Sequence, residues 1–79
     1  VHHRNQKRNV IGGHMTHFKN AIAAYKNAQK STSIYERRSF YQMAQNFTKW
    51  HIAEVGGDYL DAYIAVVAEA TGYYEKAAA

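Results

Sequence analysis

The chain has no cysteine and no proline in 79 residues, only five glycines, and a single tryptophan. Without cysteine there is no disulfide staple and no cysteine-based zinc site, which fits a reducing cytoplasm as the expected location. Without proline nothing breaks a helix from within, and the many Ala, Gln, Lys and Tyr residues favour helix over sheet. The glycines fall at 12–13, 56–57 and 72, with no phosphate-cradling loop among them. No apolar run approaches the ~20 residues of a membrane span, and no signal-peptide core is visible, so no membrane partner is expected. Seventy-nine residues allow one domain. A chain this short buries about 60% of its unfolded surface, so its single core should supply on the order of 3–5 kcal/mol.

What is present is helical patterning, and its longest stretch is Ser33 to Val55. Ser33 with Glu36 has the capping-box form, in which the hydroxyl accepts from the Glu36 amide. Gly56-Gly57 ends the segment. At 100° per residue, Ile34, Phe40, Tyr41, Met43, Ala44, Phe47, Trp50, Ile52 and Val55 gather on one broad arc, opposite Arg38, Gln42, Gln45, Asn46 and Lys49. An arc this wide implies two neighbouring helices. His51 falls inside it, one turn before Glu54. A core-edge histidine is the simpler reading, against a general base or pH-sensitive contact. His51 and Glu54 would supply two ligands at i, i+3, short of the three or four a metal needs.

A first helix is expected near 17–30, with Thr16 or a neighbour as cap. Phe18, Ala21, Ile22, Tyr25 and Ala28 form its apolar stripe, and Lys19, Lys26 and Lys30 lie elsewhere on it. Ser31-Thr32-Ser33 is too short a turn for anything but antiparallel neighbours. A third helix is expected from 58, capped by Asp58, to 71 or longer. Its inward stripe reads Leu60, Tyr63, Ile64, Val67 and Thr71. Beside it Tyr59, Val66 and Tyr73 recur every seven residues, flanked by Ala62 and Ala70. One three-helix core can hardly cover both stripes. The second reads either as a wide buried face or ordinary exposed tyrosines, or as a protein interface, since tyrosine joins a large apolar body to a polar tip.

Residues 1–14 read differently: polar, basic and without periodicity. They are expected to be a disordered leader or a non-native extension before a natural start at Met15, with residues 15–79 the single helical domain. The alternative is a basic arm that lies on nucleic acid. The formal charge of +4 owes much to Arg4, Lys7 and Arg8; from Met15 onward seven Lys/Arg face six acids, a net +1.

The expected fold is an all-α three-helix bundle with a core of Phe18, Ile22, Tyr25, Phe40, Met43, Phe47, Trp50, Leu60, Ile64 and Val67. Phe47→Ala should then cost roughly 3–5 kcal/mol. Nothing reads as catalytic: Ser33, Ser39 and His51 have no triad spacing. His2, His3, His14 and His17 do not make a metal motif, and no cofactor is implied. The expected function is non-enzymatic docking to a protein through Tyr59, Ala62, Val66, Ala70 and Tyr73, with homodimerisation through the third helix a further expectation. Small docking proteins that inhibit or redirect a host complex are common among bacteriophage accessory genes. The alternative is a basic helical DNA- or RNA-binding regulator that uses Lys26, Lys30, Arg37, Arg38, Gln42, Gln45 and Lys49. Phosphate-driven binding would weaken steeply with salt and docking would not.

Overall fold

The computed structural model describes residues 15–73. They form three helices, α1 (Thr16–Lys30), α2 (Ile34–Val55) and α3 (Tyr59–Thr71), packed as an all-α bundle. Each lies within a residue of its expected span. Residues 1–14 and 74–79, and with them the leader, lie outside the described residues.

The helix ends follow local chemistry. The Glu36 amide donates to Ser33 Oγ at 3.4 Å, and the Asp61 amide donates to Asp58 Oδ2 at 3.0 Å. Both bonds satisfy an amide that lacks an intrahelical acceptor. The expected cap on α1 is a correction: Thr16 is already helical, Met15 holds the cap position, and no side chain caps it. Gly56 and Gly57 have φ of 87° and 104° in the α2–α3 turn, and Gly72 closes α3 in the left-handed conformation. Glycine reaches these angles without a Cβ clash. In the α1–α2 turn, Ser31 Oγ donates to the Asn27 carbonyl at 2.8 Å. The Arg37 guanidinium donates to the Ser31 carbonyl at 2.8 Å, pinning the start of α2 to the end of α1.

The turn folds α2 back along α1. Three ring pairs give the direction: His17 lies beside Trp50, Phe18 beside His51, and Tyr25 beside Tyr41. This antiparallel pair is the most extensively packed in the molecule, and α3 lies against both helices, more on α1. Its seam is made of small residues. Ala21, Ala24 and Ala28 of α1 and Ala44 and Thr48 of α2 are buried, at i, i+3, i+7 and i, i+4. Spacing of this kind keeps them on one line, and alanine lets two helix backbones approach closely. The Thr48 hydroxyl is satisfied within its own helix, donating to the Ala44 carbonyl at 2.7 Å. Among the described residues Val66 is the largest side chain that is fully buried, followed by Thr48.

This corrects the expected core. Met43, Trp50, Leu60 and Ile64 are exposed, at 41%, 51%, 61% and 57%. Phe18, Ile22, Tyr25, Phe40, Phe47 and Val67 are half-buried around the alanine seam. Two physical reasons account for it. On α2, Tyr41 and Gln45 lie to one side of the Ala44–Thr48 line, and Phe40, Met43, Phe47 and Trp50 to the other. The α3 helix sits on the first side, where Tyr63 meets Tyr25 at 6.2 Å and lies near Gln45. The broad arc of α2 therefore has two neighbours on one half and, among the described residues, only the start of α1 against the other, where His17 lies beside Phe47 and Trp50.

On α3 the two stripes exchange roles. Tyr59, stacked on Tyr63 at 5.8 Å, is half-buried and Val66 is fully buried, so the supposed second stripe turns inward. Val66 thus belongs to the core and cannot contact another molecule, and Ala62 and Ala70 are partly covered with it. The supposed core stripe of Leu60 and Ile64 turns outward, a rotation of about 100° about the helix axis. In this orientation Tyr63 packs its ring on Tyr25 of α1 and lies near the polar side chain of Gln45 on α2.

Two stability results are expected from urea melts. Ala44→Leu should destabilise by roughly 1–3 kcal/mol, because the seam has no room for added methylenes. Phe47→Ala should cost about half of the ~3–5 kcal/mol of a fully buried phenylalanine. Equal stability of the Ala44→Leu variant and the native protein would contradict the close seam.

Candidate functional site

The arrangement leaves two apolar surfaces uncovered among the described residues. The first is the outer side of α3. Leu60, Ile64, Val67 and Thr71 follow at i, i+4, i+7 and i+11, and so share one line. Beside them a groove of about 450 Å³ is lined by Tyr63, Ile64, Val67, Ala68, Thr71 and Tyr73. Its walls are almost wholly apolar, and Thr71 Oγ1 donates to its own helix at the Val67 carbonyl, 2.8 Å away. The charged residues described on or capping α3 are Asp58, Asp61 and Glu69, all acidic.

The second surface is the side of α2 turned away from α3. Phe40, Met43, Phe47 and Trp50 stand there at i, i+3, i+7 and i+10. Phe47 and Trp50 meet edge to face at 5.3 Å, a favoured aromatic geometry. His17 of α1 closes the cluster, 6.3 Å from Phe47 and 5.9 Å from Trp50. The exposed Met15 lies two residues before His17.

Of the expected interface residues, Tyr73 alone is largely exposed; it lines the α3 groove. Tyr59, Ala62 and Ala70 are partly buried beside the core residue Val66. The surface consists instead of Leu60, Ile64 and Val67, which sequence periodicity assigns to the core. Periodicity could not separate the two stripes, because both are apolar and Tyr63, which lies against Tyr25, belongs to the one expected to face inward.

The basic candidates are dispersed. Lys26, Lys30, Arg38, Gln42 and Lys49 are exposed, Arg37 is spent on the Ser31 carbonyl, and Gln42 Nε2 donates to Asn46 Oδ1 at 3.3 Å. Gln45 is half-buried near Tyr63, so it does not join an exposed basic strip. His51 is half-buried with its ring 5.2 Å from Phe18, and neither its Nδ1 nor that of His17 has a hydrogen-bond partner. Glu54, its neighbour by spacing, is exposed. Among the described residues no group of three or more His, Cys, Asp or Glu could hold a metal ion. His2, His3 and His14 lie outside them. No described helix is long and apolar enough to cross a membrane.

The tyrosine cluster carries the clearest electrostatic signature. Burial raises the Tyr63 phenol above its usual value, with nearby Tyr25 adding to the rise and the Gln45 hydrogen bond opposing it. Burial raises Tyr25 likewise, with Tyr41 beside it. A raised folded value means that the contribution to stability is full below the usual tyrosine range, about pH 10, and is lost as pH climbs through the raised values. Ultraviolet titration with circular dichroism should show two tyrosines ionising late, accompanied by loss of helix. Simultaneous titration of every tyrosine with unchanged helicity would contradict the packing of α3. Comparison with known protein families, with curated proteins and with solved structures finds no match.

Proposed function

We propose that this chain is a non-enzymatic protein-binding module that acts by docking the outer face of α3 on a target protein, as a regulator or inhibitor of a larger complex. One observation carries the reading: leucine, isoleucine and tyrosine stand exposed on α3 around an apolar groove while alanine fills the interior. Contiguous apolar surface rimmed by polar residues marks interaction sites, and small bundles have little of it to spare. The groove offers shape and apolar area but no convergent set of reactive side chains, which favours recognition over chemistry. The charged residues described on α3, Asp61 and Glu69, are both acidic, which suits a protein surface better than a phosphate backbone.

The test is affinity capture from nuclease-treated lysate with the native chain and a Leu60→Asp/Ile64→Asp variant, followed by mass spectrometry. The native chain should retain one protein in stoichiometric amount, stable to salt. The variant, still helical by circular dichroism because both positions are exposed, should lose it at least about tenfold, the effect of removing two apolar anchors. Retention unaffected by the variant would contradict the α3 face. Capture of nucleic acid alone from untreated lysate, reversed by salt, would contradict protein docking.

A further inference from the structure

The second apolar surface has a pattern that names its occupant. We infer that the uncovered side of the α1–α2 pair binds the same side of a second copy of this chain, in an antiparallel two-fold dimer. The inference extends the docking reading to a different face.

A two-fold contact brings a surface against itself, so it must be self-complementary. Along α2 the spacings between Phe40, Met43, Phe47 and Trp50 are three, four and three, the same in either direction. A two-fold axis crossing α2 at the level of residue 45 sets Phe40 of one copy opposite Trp50 of the other, and Met43 opposite Phe47. Large apolar side chains then face large apolar side chains throughout. The positive charges of α2 stay out of the way, because Arg38 and Lys49 lie on the other side of the Ala44–Thr48 line. The residues that border the stripe there, Ser39 and Asn46, are uncharged.

Area sets the strength of the contact. A helix of 22 residues is about 33 Å long and ~10 Å across, so this face with the adjoining edge of α1 offers a few hundred Å² per copy. That is below the ~800 Å² per partner of a standard interface and fits a weak, reversible dimer. The contact would enclose eight large apolar side chains, against a monomer in which none larger than valine is fully buried. Phe47 and Trp50 are already fixed against each other and against His17, so little ordering remains to oppose association.

The same axis carries one unfavourable pairing, which supplies the sharpest test. Glu36 and Glu54 lie in line with the stripe at equal distances from its centre, so each faces the other's counterpart across the dimer. Lys30 shares a cleft with Glu36 and Phe40 and offsets part of the repulsion. Glu54→Lys would replace two repulsive pairs by two attractive ones, at a helix C-terminus where a cation is welcome.

Sedimentation velocity over a concentration series decides the matter. The native chain should show a reversible monomer–dimer equilibrium below about 0.5 mM, weak as a small interface implies. Glu54→Lys should tighten it about tenfold, and Met43→Glu should weaken it at least about a hundredfold while remaining helical. Leu60→Asp/Ile64→Asp should leave it unchanged, which separates this face from α3. A native chain that is monomeric throughout overturns the dimer, as does an association insensitive to Glu54→Lys and Met43→Glu. Either result leaves the capture experiment on α3 to decide the docking reading by itself.

Discussion

The structure depends on one close approach, the alanine seam between α1 and α2. Ala21, Ala24 and Ala28 meet the side of α2 marked by Ala44 and Thr48, and all five are buried. Small side chains bring the helix axes together and leave no room between them for the aromatic residues that flank the seam. Those residues splay to either side: Tyr25 and Tyr41 toward α3, Phe40, Phe47 and Trp50 away from it. The burial of so few large side chains also limits the apolar area withdrawn from water, which is the main source of stability in a chain of this size.

The placement of α3 follows from the first of these sides. Tyrosines make an adaptable lid because each combines apolar area with a hydroxyl. Tyr25, Tyr41, Tyr59 and Tyr63 form a continuous ring-to-ring chain that joins all three helices. Val66 completes the contact as a fully buried side chain. With that inner stripe engaged, the helix geometry turns Leu60 and Ile64 outward. The apolar exterior is thus the direct consequence of which stripe of α3 found partners.

Helix existence and helix ends were legible from the sequence because their causes are local. Ser33, Asp58 and the glycines at 56 and 57 act within a few residues, and the structure uses each at its expected boundary, while Gly72 closes α3 at the near end of the expected range. The choice between two apolar stripes on one helix was not legible, because it is tertiary. Periodicity sets the stripe of Leu60, Tyr63, Ile64 and Val67 above that of Tyr59, Val66 and Tyr73. It carries no information about which ring of α1 or α2 will meet each tyrosine, or about the depth that alanines permit. The same limit misplaced Met43 and Trp50, whose apolar arc was real but only half covered. The groove on α3 was beyond sequence reasoning for that reason, although Tyr73 at its edge was among the expected interface residues.

The most direct measurement is acrylamide quenching of the single tryptophan in protein dilute enough to be monomeric. Trp50 reports which half of α2 faces inward. The alanine-seam account predicts quenching at roughly half the rate of a free indole, in line with its 51% exposure. Strong protection of Trp50 in the monomer would place it in a conventional aromatic core, and both apolar surfaces would have to be drawn again.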